Sequence, residues 1–220
     1  MIKHLLLDLD NTLYPASGGM DAGISSRMQQ FVANFLEIPL KEAIEQRAKN
    51  VVNYGTTLEW LKLQHGLKDA QAYFDAVHPE NELDELQKDT ELRPYLLSLE
   101  LPMTLLTNAP MSHAARVLSF FNISDVFLGV FDLTYHDGKG KPHPESFLNT
   151  LQAVGKTVKE SLFVDDHPKY VRGYKALGGS AVIVDEQNRH ETLAQKEGFG
   201  HIKSIYELKG WLTKQKANPR

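Results

Sequence analysis

Asp8 and Asp10 stand at the end of an apolar run, Leu5-Leu6-Leu7-Asp8-Leu9-Asp10-Asn11-Thr12-Leu13. On a strand, residues i and i+2 point to one side, and Asn11-Thr12 breaks the strand and opens a turn. Both carboxylates can therefore face one crevice beyond its carboxyl end. Three other stretches place polar groups after apolar runs or in a loop: Thr107-Asn108, Lys141-Pro142 and Asp165-Asp166. Singly, each has an ordinary structural explanation, as an Asx turn, a helix cap or a solvated lysine. Together they fit phosphoryl transfer through an aspartyl intermediate. Asp8 serves as the carboxylate nucleophile. Asp10 protonates the leaving oxygen and then takes a proton from the hydrolytic water. A carboxylate approaching a phosphate dianion needs counter-charge. Mg²⁺ suits hard oxygen ligands, here Asp8, the Asp10 backbone carbonyl and Asp166. Lys141 adds a second positive charge, and the Thr107 hydroxyl and Asn108 backbone N–H add hydrogen bonds.

The elements that must position these groups alternate. Buried-strand signals run from Leu5 to the two carboxylates and over residues 103–107, 130–134, 161–164 and 181–184. Helical patterns lie between them, over 94–99, through Ala114, Val117, Leu118 and Phe121, from Pro144, from Pro168 to Gly178-Gly179, and through Ile205, Leu208, Trp211 and Leu212. Such alternation predicts an α/β fold, a parallel sheet flanked by helices with right-handed crossovers. In a parallel sheet the four polar stretches share one edge, so they converge.

The first crossover is too long. Roughly 90 residues separate Asp10 from the strand at Met103, where a βαβ unit needs about 30. The excess reads as all-helical: Asp21 as N-cap of a helix bearing Ile24, Met28, Phe31, Val32 and Phe35; a helix opened by Pro39 and reaching Val51; a Thr56–Glu59 capping box starting a helix that stops at Gly66; and a fourth from Asp69 to Pro79. Residues 18–81 thus form a helical lid, and residues 1–17 with 82–220 form the core. Trp60, Phe31, Phe120 and Phe121 read as core residues, and His65 and His78 as surface residues at helix ends. Specificity is expected from Tyr54-Gly55-Thr56-Thr57 and the hinge near Tyr14.

Of the 220 residues, 42% are hydrophobic and 24% charged, with a formal net charge of −4. That balance, without a basic cluster, argues against a nucleic-acid polymer as partner. The absence of Cys removes disulfides and thiolate zinc sites. No 18-residue apolar run offers a membrane span, and Asp8 and Asp10 interrupt any signal-peptide h-region. A cytoplasmic protein is expected.

With these residues in hand, the chain resembles the haloacid dehalogenase superfamily of phosphohydrolases. Asp8-Leu9-Asp10-Asn11-Thr12-Leu13, Leu106-Thr107-Asn108, Lys141-Pro142 and Phe163-Val164-Asp165-Asp166 match its four motifs across nearly the whole chain. More narrowly, residues 8–15, Tyr54-Gly55-Thr56-Thr57-Leu58 and Lys141-Pro142-His143 are similar to its pyrimidine 5′-nucleotidase branch. The resemblance implies a Rossmann-like core, an all-helical cap inserted after the first strand, Mg²⁺ dependence, Asp8 as nucleophile and Asp10 as acid/base. The expected substrate is a small phosphorylated metabolite, a pyrimidine nucleoside 5′-monophosphate. Phosphoglycolate, sugar phosphates, a phosphomutase reaction and a non-catalytic binding module are the alternatives. Dehalogenation fits poorly, because such enzymes lack the second Asp and use no metal. One departure stands out. Tyr170 occupies a position where the superfamily often has Asp or Asn, so either Asp165 supports the metal instead or metal affinity falls. His167 replaces a common small hydroxyl residue, and its role is open.

Overall fold

The computed structural model of the chain describes residues 2–217. Six short strands, β1 (His4–Leu7), β2 (Met103–Leu106), β3 (Phe127–Phe131), β4 (Ser161–Asp165), β5 (Ser180–Val184) and β6 (Gly200–Ile202), make one sheet in the order β3-β2-β1-β4-β5-β6. Every pairing is parallel. β1 is central and apolar on both faces, as parallel strands covered on both sides must be. Leu5 and Leu7 enter one core cluster and Leu6 the other. On the Leu5/Leu7 face pack α5 (Leu92–Leu97), α6 (Met111–Phe120) and α10 (Leu208–Ala217). On the Leu6 face pack α7 (Pro144–Ala153), α8 (Pro168–Ala176) and α9 (Glu191–Glu197).

Between β1 and β2 lie α1 (Met20–Leu36), α2 (Leu40–Asn50), α3 (Thr57–His65) and α4 (Ala70–Val77). They bury a third cluster around Val32, Trp60, Leu61 and Phe74, joined by Leu133 from the loop after β3. Thr56 caps α3 by accepting from Glu59 N at 3.0 Å, and Glu59 Oε2 accepts from Gly55 N at 2.5 Å, one residue earlier than a capping box requires. No helix among the described residues is long and apolar enough to cross a membrane.

Several boundaries differ from the expectation. β1 spans His4–Leu7 and stops just before the two carboxylates, although Asp8 N still donates to Val164 O at 3.0 Å. β3 lies over Phe127–Phe131 rather than 130–134. Asp132 stops it, its two carboxylate oxygens accepting from Tyr135 N and Met111 N at 2.9 Å each. Asp21 is not an N-cap: α1 starts at Met20 behind Gly19, whose φ of 102° needs glycine. The helix expected over 94–99 runs Leu92–Leu97, because Pro94 sits within its first turn. Val51 falls in a 3₁₀ turn, Val51–Asn53, rather than in α2. His78 is buried, not on the surface, since it follows α4 into a polar cluster beneath the helices.

Candidate active site

The carboxyl ends of β1, β2 and β4 and the loop after β3 supply the expected groups to one place. Asp8, Asp10, Thr107, Asn108, Lys141 and Asp166 line a single cavity of about 280 Å³, roofed by α1–α4. Asp165 lies beneath it, fully buried. A larger groove of about 580 Å³ opens at the amino ends of β5 and β6, but no acid or histidine lines it.

Lys141 is the centre of the charge arrangement. Its Nζ donates to Asp8 Oδ1 at 2.5 Å and to Asp165 Oδ2 at 2.7 Å, with all three residues buried. Burial works against the ammonium, but Asp165 and Asp8 raise its pKa above the usual lysine value. Asp165 is held on both oxygens, since its Oδ1 also accepts from His167 N at 2.8 Å. Asn108 fixes the Lys141 loop rather than pointing a side chain at substrate. Its Oδ1 accepts from Lys141 N at 2.8 Å and its Nδ2 donates to Lys141 O at 2.9 Å. Gly140 is required beside this clamp, because a Cβ there would collide with Asn108 Oδ1. The Lys141–Pro142 peptide is cis. The Thr107 hydroxyl accepts from Ala109 N at 3.0 Å, so its proton remains free to donate.

Asp8 Oδ2 accepts from Thr12 Oγ1 at 3.2 Å. Burial raises the Asp8 pKa, Lys141 opposes it, and Asp165 and Asp10 push it up again. Asp166 is raised too, by burial and then by Asp165 and Asp8. Its contact is Asn11 Nδ2 at 3.4 Å, which is long. Asn11 itself sits at φ 58°, which turns the chain sharply between the two aspartates and the helices. Ligand oxygens of Asp8, Asp165 and Asp166 lie within 4.8 Å of one another. Three carboxylates facing one lysine leave excess negative charge, and an all-oxygen donor set suits a hard divalent cation such as Mg²⁺. The residues present therefore fit the metal.

Asp10 is held from the other side. His113 Nε2 donates to its Oδ1 at 2.7 Å, and Tyr14 Oη donates to the same oxygen. Burial opposes ionisation, yet the His113 charge and these hydrogen bonds hold the Asp10 carboxyl below its ordinary value. Behind His113 stands Glu82, whose Oε2 is 2.9 Å from His113 Nδ1 and accepts from His78 Nδ1 at 3.0 Å. Arg116 closes the cluster on Glu82 Oε1 at 2.5 Å. Burial lowers the His113 pKa, but Asp10 and Glu82 on its two sides lift it to about 9. His113 and Glu82 join the site unexpectedly, and Tyr14, expected as part of a specificity hinge, instead donates to Asp10. A signal existed for one of them: His113 lies four residues before Val117, on the apolar face of its helix, where a histidine needs a partner.

The two residues that depart from the superfamily pattern have structural places. His167 caps α8, its Nδ1 accepting from Lys169 N at 3.2 Å. The Tyr170 ring lies 5.2 Å from Lys141 Nζ, a cation–π distance. Its hydroxyl donates to Gly55 O at 3.1 Å, and Lys169 Nζ donates to Val51 O at 3.0 Å and to Tyr54 O. Two core side chains thus grip the loop between α2 and α3. A third contact, His143 Nε2 to Glu59 Oε1 at 2.8 Å, joins the Lys141 loop to α3.

Residues 2–178 match the family model described as hydrolase: haloacid dehalogenase-like hydrolase. The chain belongs to this family. Among curated proteins, this haloacid dehalogenase-like hydrolase is similar to a phosphoglycolate phosphatase of Photorhabdus laumondii, 28% identical over 188 residues that cover 80% of this chain and 77% of the relative. Among solved structures it is similar in fold to a HAD phosphatase from Thermococcus onnurineus, with TM-score 0.65, 20% identity and coverage of 96% and 98% of the two chains. An L-2-haloacid dehalogenase from Xanthobacter autotrophicus gives TM-score 0.63 at 17% identity, with both chains covered in full. At these identities the structural likenesses speak for the fold of the hydrolase and not for its substrate. The Rossmann-like sheet is shared.

Proposed function

We propose that this hydrolase is a Mg²⁺-dependent phosphomonoesterase working through an aspartyl-phosphate intermediate. The observation that carries the reading is Lys141 Nζ bridging Asp8 and Asp165 at the cavity floor, with Asp10 at its wall. Asp8 attacks phosphorus, and the ester oxygen leaves with a proton from Asp10. Water then attacks the acyl phosphate as Asp10 removes its proton. Lys141, the Thr107 hydroxyl and the Asn108 N–H hold the phosphoryl oxygens, and Asp165 holds Lys141. Asp8, the Asp10 carbonyl and Asp166 would hold Mg²⁺, which supplies positive charge to the transferring group. Asp10 as a second aspartate and Asp166 as a site for the offsetting cation together favour phosphate over a haloacid.

Residues 18–81 act in this reading as a cap that selects the substrate. Gly55, Thr56 and Thr57, within the stretch similar to the nucleotidase branch, line the cavity together with Tyr73 and Phe74. They support a pyrimidine nucleoside 5′-monophosphate. A second reading, phosphoglycolate, is favoured by Arg47. This cavity residue donates to Thr57 Oγ1 at 2.9 Å and has no carboxylate partner among the described residues, so it suits a second anionic group on the substrate. It accords with the named activity of the Photorhabdus relative.

Phosphate release across UMP, CMP, AMP, phosphoglycolate and several sugar phosphates, with Mg²⁺ and with EDTA, tests both levels. Release that needs Mg²⁺ and vanishes in Asp8→Asn supports the mechanism, and the preferred ester decides the substrate. Undiminished turnover in Asp8→Asn removes the mechanism.

A further inference from the structure

Asp10 has two carboxylate oxygens in different situations. Oδ1 receives both His113 Nε2 and the Tyr14 hydroxyl, while Oδ2 has no hydrogen-bond partner among the described residues. Asp10 lines the cavity and keeps a quarter of its side chain exposed. Two donors on one oxygen leave that oxygen unable to carry a proton without a clash of hydrogens, so any proton Asp10 holds belongs on Oδ2. The carboxylate is thereby fixed in rotation as well as in place.

His113 does not hold this position by itself. It is fully buried, and Glu82, also buried, stands against its other ring nitrogen at 2.9 Å. Glu82 lies in the 3₁₀ turn Glu80–Glu85, where the chain returns from α4 toward the sheet. It is anchored in turn by Arg116 and His78. His78, Glu82 and His113 also present three potential metal-ligating atoms close together. The Arg116 guanidinium already balances Glu82, however, so ion pairing of Glu82 with Arg116 and the two histidines accounts for the cluster without an ion.

We infer that His113, held by Glu82, is the positioning residue that turns the Asp10 carboxyl so that Oδ2 meets the leaving-group oxygen. The inference rests on Asp10 being the general acid, protonated on Oδ2 in the productive complex although in the free site His113 holds the carboxyl low against its burial. In that step the bond from phosphorus to the ester oxygen breaks, Asp8 forms the new bond to phosphorus, and the proton on Asp10 Oδ2 passes to the departing oxygen. An alkoxide leaving group needs this proton, whereas p-nitrophenolate leaves without it. General acid assistance is worth about 10²–10⁴-fold, so misplacing the acid must penalise alkyl esters selectively.

The test compares kcat/KM, which reports on phosphoryl transfer to Asp8, for p-nitrophenyl phosphate and for an alkyl ester. The alkyl ester is UMP or phosphoglycolate, whichever turns over faster. Asp10→Asn, His113→Leu, His113→Gln and Glu82→Gln are measured beside the native enzyme, all with Mg²⁺. His113→Leu is expected to lose about 30-fold or more on the alkyl ester and less than about 3-fold on the aryl ester. His113→Gln, which keeps an N–H donor, recovers most of that loss, and Glu82→Gln shows the same selectivity in weaker form. Equal losses on both esters in His113→Leu, or no loss, overturn the inference provided Asp10→Asn is itself selective. If Asp10→Asn penalises both esters alike, the general-acid reading fails first. Should His113→Leu not fold, Glu82→Gln decides alone: alkyl-selective loss supports the positioning role, and uniform loss or none overturns it.

Discussion

Lys141 is a buried ammonium shared by two buried carboxylates, with Asn108 gripping its backbone from both sides. Removing one partner of a buried ion pair costs about 3–5 kcal/mol, because the charge left behind loses its compensation. Lys141→Met is therefore expected to lose stability in this range as well as activity, read by urea unfolding in EDTA. A loss below about 1 kcal/mol would mean that Asp8 and Asp165 do not depend on this lysine for burial. The four polar stretches were legible in the sequence because strand ends in a parallel sheet converge, and six of the seven expected residues do line one cavity. What could not be read was who holds whom. Asn108 as a backbone clamp, Asp165 as the anchor of Lys141, and the His113–Glu82 pair behind Asp10 all depend on contacts between residues 24 to 133 positions apart. No local pattern encodes such contacts.

At the scale of elements, β1 owes its place to one polar residue as well as to three leucines. His4 Nδ1 is 2.8 Å from Ser161 Oγ on β4, and Nε2 is 2.9 Å from Thr104 Oγ1 on β2. The imidazole ties the central strand to both neighbours. Burial, with the Lys156 charge adding to it, lowers the His4 pKa to about 4, against about 6.5 in an unfolded chain. The folded pKa is depressed, so the associated stability is complete above about pH 6.5 and is lost as the pH falls toward 4. The unfolded chain takes up a proton there that the native state refuses. The loss across that window is roughly 3 kcal/mol. Urea midpoints at pH 7.5 and 4.5 should separate the native protein from His4→Gln by this slope, and parallel slopes would exclude His4 as the titrating group. Elements with strong signals were read well, and those with weak ones were not. β6, three residues long, and the polar α9 offered no periodicity, and β3 slid by three residues because its end is set by Asp132, whose hydrogen bonds reach α6.

Across the whole molecule, the α1–α4 layer is fastened to the core at several separated points. Lys169 and Tyr170 hold the loop between α2 and α3, His143 holds Glu59 of α3, and Arg116 holds the carbonyl of His78 as well as Glu82. The over-long first crossover announced such a layer. Nothing in the sequence announced Tyr170 as one of its fasteners, because that residue drew notice only as a missing acid.

The position of β1 has a consequence in time. Asp8 follows β1, the first of the six strands in chain order, yet β1 pairs Leu5↔Met103 on one side and His4↔Ser161 on the other. At about 5–20 residues per second on a ribosome, β1 waits roughly 8–30 s for β4 to be made. The helices α1–α4 need no such wait, since their cluster around Trp60 is nearly self-contained in sequence. Pulse-labelled hydrogen exchange during refolding should protect α1–α4 amides before those of β1, and simultaneous protection would place both in one cooperative unit. Asp8 and Asp10 are thus made well before β2 and β4 and acquire their surroundings late.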